Sequence, residues 1–191
     1  MKKKLLALSL TVICLSTLAY GTLAYFTAED TAHNVITSGN VEIQLLEWAD
    51  EGKTEPFPQN GVSGVLPGMQ VTKFVEIKNT GSAAAWVRVR VDKQFTLAKD
   101  AEGQADPGMM TLDFHQEAWA DGADGYYYYQ KALASGETTE PLFAAITFDP
   151  AMGNLYQNST ASVKVLAYAV QSAHNGATPR EAKGWPEGKE G

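Results

Sequence analysis

Apolar and polar residues alternate along most of this chain. Val41, Ile43 and Leu45 are separated by polar residues, the same two-residue period runs through residues 71–79, and in residues 86–92 valine alternates with arginine or aspartate. Successive side chains of a strand point to opposite faces, so each run predicts a strand with one buried face. We predict further strands at residues 126–130, 142–148 and 161–171, and the length of the last favours a central position in its sheet.

Glycine, proline and Asp-Gly or Asn-Gly pairs separate these runs and predict turns. The turn at residues 79–82 predicts that the strands 71–79 and 86–92 pair as antiparallel neighbours. Short strands spaced by turns indicate an all-β protein, and we predict a jelly-roll-like antiparallel β-sandwich. Residues 95–125 are acidic and less regular, so we interpret them as a long middle insertion with a short helix near residues 109–114.

The N-terminus has the pattern of an export signal. Lys2, Lys3 and Lys4 precede a largely apolar run of 15 residues from Leu5 to Ala19, which is shorter than the ~20 residues that a membrane-spanning helix needs. Small residues at Thr22 and Ala24 predict cleavage between Ala24 and Tyr25. The sequence therefore predicts a secreted protein whose signal helix is removed, with retention of residues 1–24 as an anchor as the open alternative.

Cleavage would change both the charge and the cysteine content. Loss of the three lysines takes the net charge from −7 to −10, and such a surface repels nucleic acid and anionic lipid. Cys14, the only cysteine, lies in the signal, so the exported chain would depend on core burial or on assembly for its stability. We predict a signal peptide (1–24), an N-terminal arm (25–36), a β-sandwich domain (37–174) and a mobile tail (175–191) from which Trp185 docks on the body.

The sequence offers little that predicts catalysis. His33, His115 and His174 show no metal-ligand spacing, and neither a Gly-x-Ser-x-Gly motif nor a cysteine nucleophile follows the signal. The acidic stretches 100–106 and 121–125 only loosely resemble calcium-binding loops, and we favour solvated loops. We therefore assign no catalytic, metal-binding or cofactor-binding residue and expect no cofactor.

Four consecutive tyrosines, Tyr126 to Tyr129, would place alternate rings on opposite faces of a strand. One pair would then be buried, and the other would form an exposed surface for stacking on sugars or docking a protein. Packing on both faces explains the same pattern, and we favour this structural interpretation.

Five parts of the chain follow one another in a recognisable order. They are the junction at residues 24–30 with the following segment 34–43, the Leu-Pro-Gly segment at 66–70 with the predicted strand and turn at 75–82, and the segments 127–133, 136–143 and 167–171. In this order they resemble the TasA/CalY (camelysin) family of Gram-positive secreted proteins. Together they cover most of the chain. The resemblance implies export, cleavage by a SipW-type signal peptidase, a jelly-roll domain and a role as an extracellular biofilm matrix or fibre subunit.

The resemblance also implies that the freed N-terminal segment adds as a strand to the next subunit, so the chain would be its own partner. Residues 25–36 are mostly polar, and we expect them to gain little by folding on their own body and more by pairing with a neighbour's open sheet edge. We expect Tyr25, Phe26, Val35 and Ile36 to anchor this arm.

Other functions stay open at this point. The chain could be an accessory matrix or carbohydrate-binding module that contacts other matrix proteins or polysaccharide. Some TasA/CalY proteins are labelled metalloproteases, but we find no zinc motif in this sequence and do not predict that activity.

Overall fold

The computed structural model describes residues 26–30, 34–37, 41–59 and 61–186. Within them the chain is almost entirely β, as the alternating pattern predicts. Two short 3₁₀ helices, Pro107–Met109 and Asn154–Tyr156, interrupt the strands. The strands are β1 (Phe26–Asp30), β2 (Asn34–Thr37), β3 (Ile43–Trp48), β4 (Val62–Val65), β5 (Gln70–Thr72), β6 (Phe74–Asn79), β7 (Ala85–Thr96), β8 (Met110–Leu112), β9 (Trp119–Asp121), β10 (Tyr127–Tyr129), β11 (Ala145–Phe148) and β12 (Thr160–Gln171).

The larger layer is a seven-stranded sheet with the order β4-β1-β12-β7-β10-β9, in which β2 also pairs with β12. Its centre is the antiparallel ladder between β7 and β12, which runs unbroken from the Thr160–Thr96 pair to the Gln171–Ala85 pair. The predicted central position of the strand at 161–171 is therefore confirmed. We call this layer the main sheet.

The smaller layer contains the antiparallel pairs β3–β6, β5–β11 and β11–β8. Backbone hydrogen bonds from Thr139 N to Ile77 O (2.9 Å), from Leu142 N to Val75 O (2.7 Å) and from Lys73 N to Ala144 O (2.9 Å) join these pairs. The segment leading into β11 therefore runs beside β5 and β6, and the pairs form one layer.

One cluster of buried side chains lies between the two layers. Val87 and Val165 contribute from the main sheet, and Leu45 and Ile77 from the smaller layer. These residues come from the alternating runs of the sequence, and burying their apolar faces stabilises the pairing of the layers. The all-β prediction is confirmed, and the antiparallel two-layer arrangement is consistent with a β-sandwich.

Two local predictions were wrong. Residues 110–112 form strand β8, preceded by a 3₁₀ turn, rather than a helix over 109–114, because they pair with β11 through Leu112 and Ile146. The strands on either side of the turn at 79–82 belong to different layers and are not a hairpin. The buried Asn79 fixes this crossing, since its Nδ2 donates to Ala83 O (2.8 Å) and Leu133 O (2.9 Å) and its Oδ1 accepts from Gly81 N (3.0 Å).

The stretch that we predicted as an insertion contributes to both layers. It supplies β8 to the smaller layer and β9 to the edge of the main sheet. No helix in the described ranges has the length and apolar character needed to cross a membrane. The predicted signal helix lies outside the described residues.

The C-terminal segment lies across the outer face of the main sheet. Trp86 Nε1 donates to Asn175 O (2.9 Å), and Ala182 and Trp185 pack against Trp86 and Val170. The predicted docking of Trp185 is therefore confirmed. The predicted mobility of the tail stays a prediction, and residues 187–191 lie outside the described ranges.

Candidate functional site

The predicted assembly arm lies along one edge of β12. Strand β1 pairs with it in parallel from Thr27–Thr160 to Asp30–Val163, and β2 continues from Asn34–Leu166 to Thr37–Ala169. The register shifts by one residue between the two strands, because four positions on the arm match three on β12. All other ladders between the described strands are antiparallel.

The other edge of β1 pairs with β4. This ladder is antiparallel, joins Phe26 to Val65 and Ala28 to Val62, and contains an irregularity after Phe26. Strand β1 therefore lies between β12 and β4, and it is the only described strand that links them. We call the space between β12 and β4 the β12–β4 slot.

The four predicted anchor residues are only partly described. Ala24 and Tyr25, which flank the predicted cleavage site, lie outside the described residues. Phe26 lies in β1 opposite Val65, and Ile36 lies in β2 opposite Tyr168. Val35 is half-buried and packs against the main core, so the arm contributes an apolar side chain to the body.

The arm differs from our expectation in one respect, since it pairs with its own body. The physical reason is that β7 occupies only one edge of β12, so the backbone groups of the other edge need partners. Backbone hydrogen bonds require no apolar pattern in the added strand. The sequence indicated the arm but not its acceptor, and β4 was missed because the short Val-Ser-Gly-Val run contains a glycine that weakens the strand pattern.

The tyrosine run packs on both faces, as the favoured interpretation predicts. On the inner face Tyr127 stacks on Phe114, with ring centroids 4.1 Å apart, and Tyr129 contacts Trp119. On the outer face Tyr128 is buried and meets Trp185 edge-on at 6.2 Å. The run therefore does not present a row of open rings.

The predicted histidines do not come together in the described structure. His115 and His174 are exposed, and His33 lies outside the described residues. Within the described ranges, no three His, Cys, Asp or Glu side chains are close enough to hold a metal ion. The carboxylates of the 121–125 turn are engaged locally, because Asp121 accepts from Ala123 N (2.8 Å) and Asp124 accepts from Tyr126 N (3.1 Å) and from the Tyr128 hydroxyl (2.7 Å).

A polar clasp joins the two layers at Glu140. Its carboxylate accepts hydrogen bonds from Lys131 Nζ (2.7 Å) and from the Tyr129 hydroxyl, and its backbone oxygen accepts from Trp119 Nε1 (3.0 Å). The bonds from Lys131 and Tyr129 lower the pKa of Glu140 from 4.5 to about 2. Burial is the main factor that raises the pKa of Tyr129, and the hydrogen bond to Glu140 raises it further. These groups are used in holding the layers together.

We expect this clasp to make folding stability depend on pH. The pKa of Glu140 is lower in the folded state, so its contribution is present above about pH 4.5 and is lost as the pH falls towards 2. Because 38% of the side chain is exposed, solvent screening limits the effect to about 1 kcal/mol. Urea unfolding of the native chain and of Glu140→Gln should differ by this amount at pH 7, and the difference should shrink below pH 4.5 and vanish as the pH falls through about 2. A constant difference from pH 7 to 2.5 would contradict the assignment.

Comparison of the chain with protein-family models, with curated proteins and with solved structures finds no match. The arm and the β12–β4 slot are therefore the structural features from which a function can be inferred.

Proposed function

We propose that the protein is a secreted structural subunit of extracellular matrix or biofilm fibres, which assembles when the N-terminal arm of one subunit enters the β12–β4 slot of the next. The observation that carries this proposal is the position of the arm. It is the first described segment of the chain, it lies between β12 and β4, and it supplies the only parallel ladders among the described strands. A segment with these properties can be exchanged without changing the pairing of the other strands.

Exchange has a low energetic cost once the arm is free. The backbone bonds of β1 and β2 are the same whether the arm comes from the same chain or from a neighbour, so exchange keeps the ~1 kcal/mol net contribution of each bond. Because the arm and the slot are different surfaces, donation from subunit to subunit is a head-to-tail contact, and it produces an open filament when the rotation between successive subunits does not close a ring. Transfer of a terminal strand between identical chains is a low-cost route to such assemblies.

The resemblance to the TasA/CalY family supports the same proposal and extends it. It leads us to propose a jelly-roll topology for the sandwich, membrane attachment only before cleavage, and release of Tyr25 by a SipW-type signal peptidase. Cleavage is required in this scheme because an arm held in the membrane by residues 1–24 cannot enter a neighbouring subunit. The mature charge of −10 opposes close packing of subunits, so we expect salt or lower pH to favour assembly.

The proposal predicts that assembly requires the arm. A mature chain of residues 25–191 should form fibres in salt or at mildly acidic pH, and a chain of residues 37–191 should form none. Electron microscopy gives the readout, and circular dichroism establishes that the shorter chain keeps its β-structure. A synthetic peptide of residues 25–36 should bind the shorter chain and raise its melting temperature, because it fills the slot. Fibres from the shorter chain would contradict arm donation.

A further inference from the structure

The outer face of the main sheet carries an arginine surrounded by aromatic rings. The guanidinium carbon of Arg88 lies 3.9 Å from the ring centroid of Tyr126, 4.6 Å from that of Trp185 and 5.4 Å from that of Tyr168. Its Nε atom is buried and has no hydrogen-bond partner among the described residues. A buried donor without an acceptor is unfavourable, so this N–H group is suited to donate a hydrogen bond to an anion.

The charges on this face differ from those of the whole protein. Arg88, Arg90 and Lys164 lie there together with Asp92 and Asp124, so positive side chains are concentrated on this face of a chain whose net charge is −7. Arg90 Nε is bonded to Asp92 Oδ1 (2.9 Å), and Lys164 is the cross-strand partner of Asp92. The guanidinium of Arg88 interacts with the charge of Asp124 and with the Tyr128 hydroxyl, but among the described residues no carboxylate forms an ion pair with it, so it can bind a further anion.

Residues 175–186, which we call the strap, cover this face. The side chain of Asn175 closes the strap into a loop, because its Nδ2 donates to Gln171 O (3.0 Å) and Lys183 O (3.0 Å) and its Oδ1 accepts from Lys183 N (2.8 Å). Trp185 then lies over Arg88. Most of the remaining strap side chains are exposed, so a few contacts hold the cover in place.

The strap does not fill the space beneath it. An open cavity of about 230 Å³ lies between strap residues 178–180 and the body, where Ala120, Tyr128 and Gln130 line it. Pockets for drug-sized ligands measure roughly 300–1,000 Å³, so this cavity suits a group the size of one sugar ring. Because the strap packs loosely on the body around this cavity, few van der Waals contacts are lost when the strap is displaced.

We propose that this face binds an acidic polysaccharide built from uronic acids, and that the strap competes with it. The guanidinium of Arg88 receives the carboxylate, for which its planar donor group is well matched. Tyr126, Tyr168 and Trp86 offer ring faces to the apolar side of the sugar once Trp185 moves away. The ligand then supplies the acceptor that the Arg88 Nε atom lacks when the strap is closed.

Binding of alginate to the mature chain tests the proposal, with isothermal titration calorimetry at low salt. We expect Arg88→Gln to weaken binding at least tenfold. Arg90→Gln is the matched control, since it removes the same charge from the same strand and face, and we expect it to weaken binding less than threefold. Thermal melts establish that both variants are folded.

Two further variants test the competing strap. Gly176 has φ +79°, and a Cβ added there would lie 2.9 Å from the backbone carbonyl carbon of Glu181, so Gly176→Ala should open the loop. We expect this variant and Trp185→Ala to bind alginate at least threefold more tightly than the native chain. These gains would stand even if Arg88→Gln did not fold.

Several results would overturn the proposal. Equal losses of alginate affinity in Arg88→Gln and Arg90→Gln would show that binding depends on general charge attraction and not on a specific site at Arg88. Equal binding of neutral dextran would contradict carboxylate recognition, and equally tight binding of single-stranded DNA would contradict a carbohydrate ligand. No gain in affinity in either strap variant would contradict a competing cover.

Discussion

Replacing Lys73 with methionine should lower the free energy of unfolding by about 3–5 kcal/mol. Only 1% of the Lys73 side chain is exposed, and its Nζ lies 3.1 Å from Glu47 Oε1 and 4.3 Å from the ring centroid of Phe57. The Glu47 side chain is also buried. Removal of the ammonium leaves a buried carboxylate without this cation, and such a charge is strongly unfavourable in a low-dielectric interior.

Urea unfolding at pH 7 measures this effect. The double variant Glu47→Gln with Lys73→Met should regain more than half of the loss, because it removes the buried charge as well as its partner. Arg90→Met is the control, since the ion pair of Arg90 with Asp92 is 42% exposed on each side chain and should contribute no more than about 1 kcal/mol. A loss below 1 kcal/mol in Lys73→Met would show that the buried pair does not support the fold.

Replacing Trp119 with alanine should cost a similar amount, about 3–5 kcal/mol. Its side chain is 1% exposed in the main core, its ring centroid lies 5.0 Å from that of Tyr129, and its Nε1 donates to Glu140 O. Truncation leaves a cavity and removes the donor to a backbone oxygen at the inter-layer clasp. The Glu140 region should loosen together with the edge of the main sheet.

Thermal and urea unfolding followed by circular dichroism measure this loss. Trp119→Phe should recover part of it, because phenylalanine refills much of the space but cannot donate to Glu140 O. Trp185→Ala is the matched control, since Trp185 is half-buried on the strap, and it should cost about 1 kcal/mol. Equal losses at the two tryptophans would contradict the distinction between core and strap.

The sequence predicted the strands that have a strict two-residue period and long apolar sides. Residues 86–92 and 161–171 form the centre of the main sheet as expected. The same pattern also places Lys73, which lies between β5 and β6, in phase with the buried residues Val71, Val75 and Ile77. The two-residue period predicts that Lys73 is buried, but it does not identify Glu47 as the partner, because Glu47 lies on a different strand.

Features that depend on tertiary pairing were less predictable. Residues 109–114 hold apolar side chains that suit either a helix or a strand, and the neighbouring β11 decides between them. The turn at 79–82 looks like a hairpin, but the hydrogen bonds of Asn79 direct the chain into the other layer. The β12–β4 slot and the aromatic residues around Arg88 can be predicted only when the order of strands in the sheet is known. The alternation of apolar and polar residues does not determine that order.

Strand exchange is tested most directly by cysteine cross-linking between subunits. Ala28 and Ala161 are paired neighbours on β1 and β12, and the mature chain would contain no other cysteine. Ala28→Cys and Ala161→Cys are placed in separate chains, mixed before assembly and oxidised in the fibre. The account predicts disulfide-linked dimers that contain one chain of each kind, whereas Thr27→Cys with Ala161→Cys should link poorly because adjacent strand residues point to opposite faces. Fibres that form normally but contain no such mixed dimers would contradict the account.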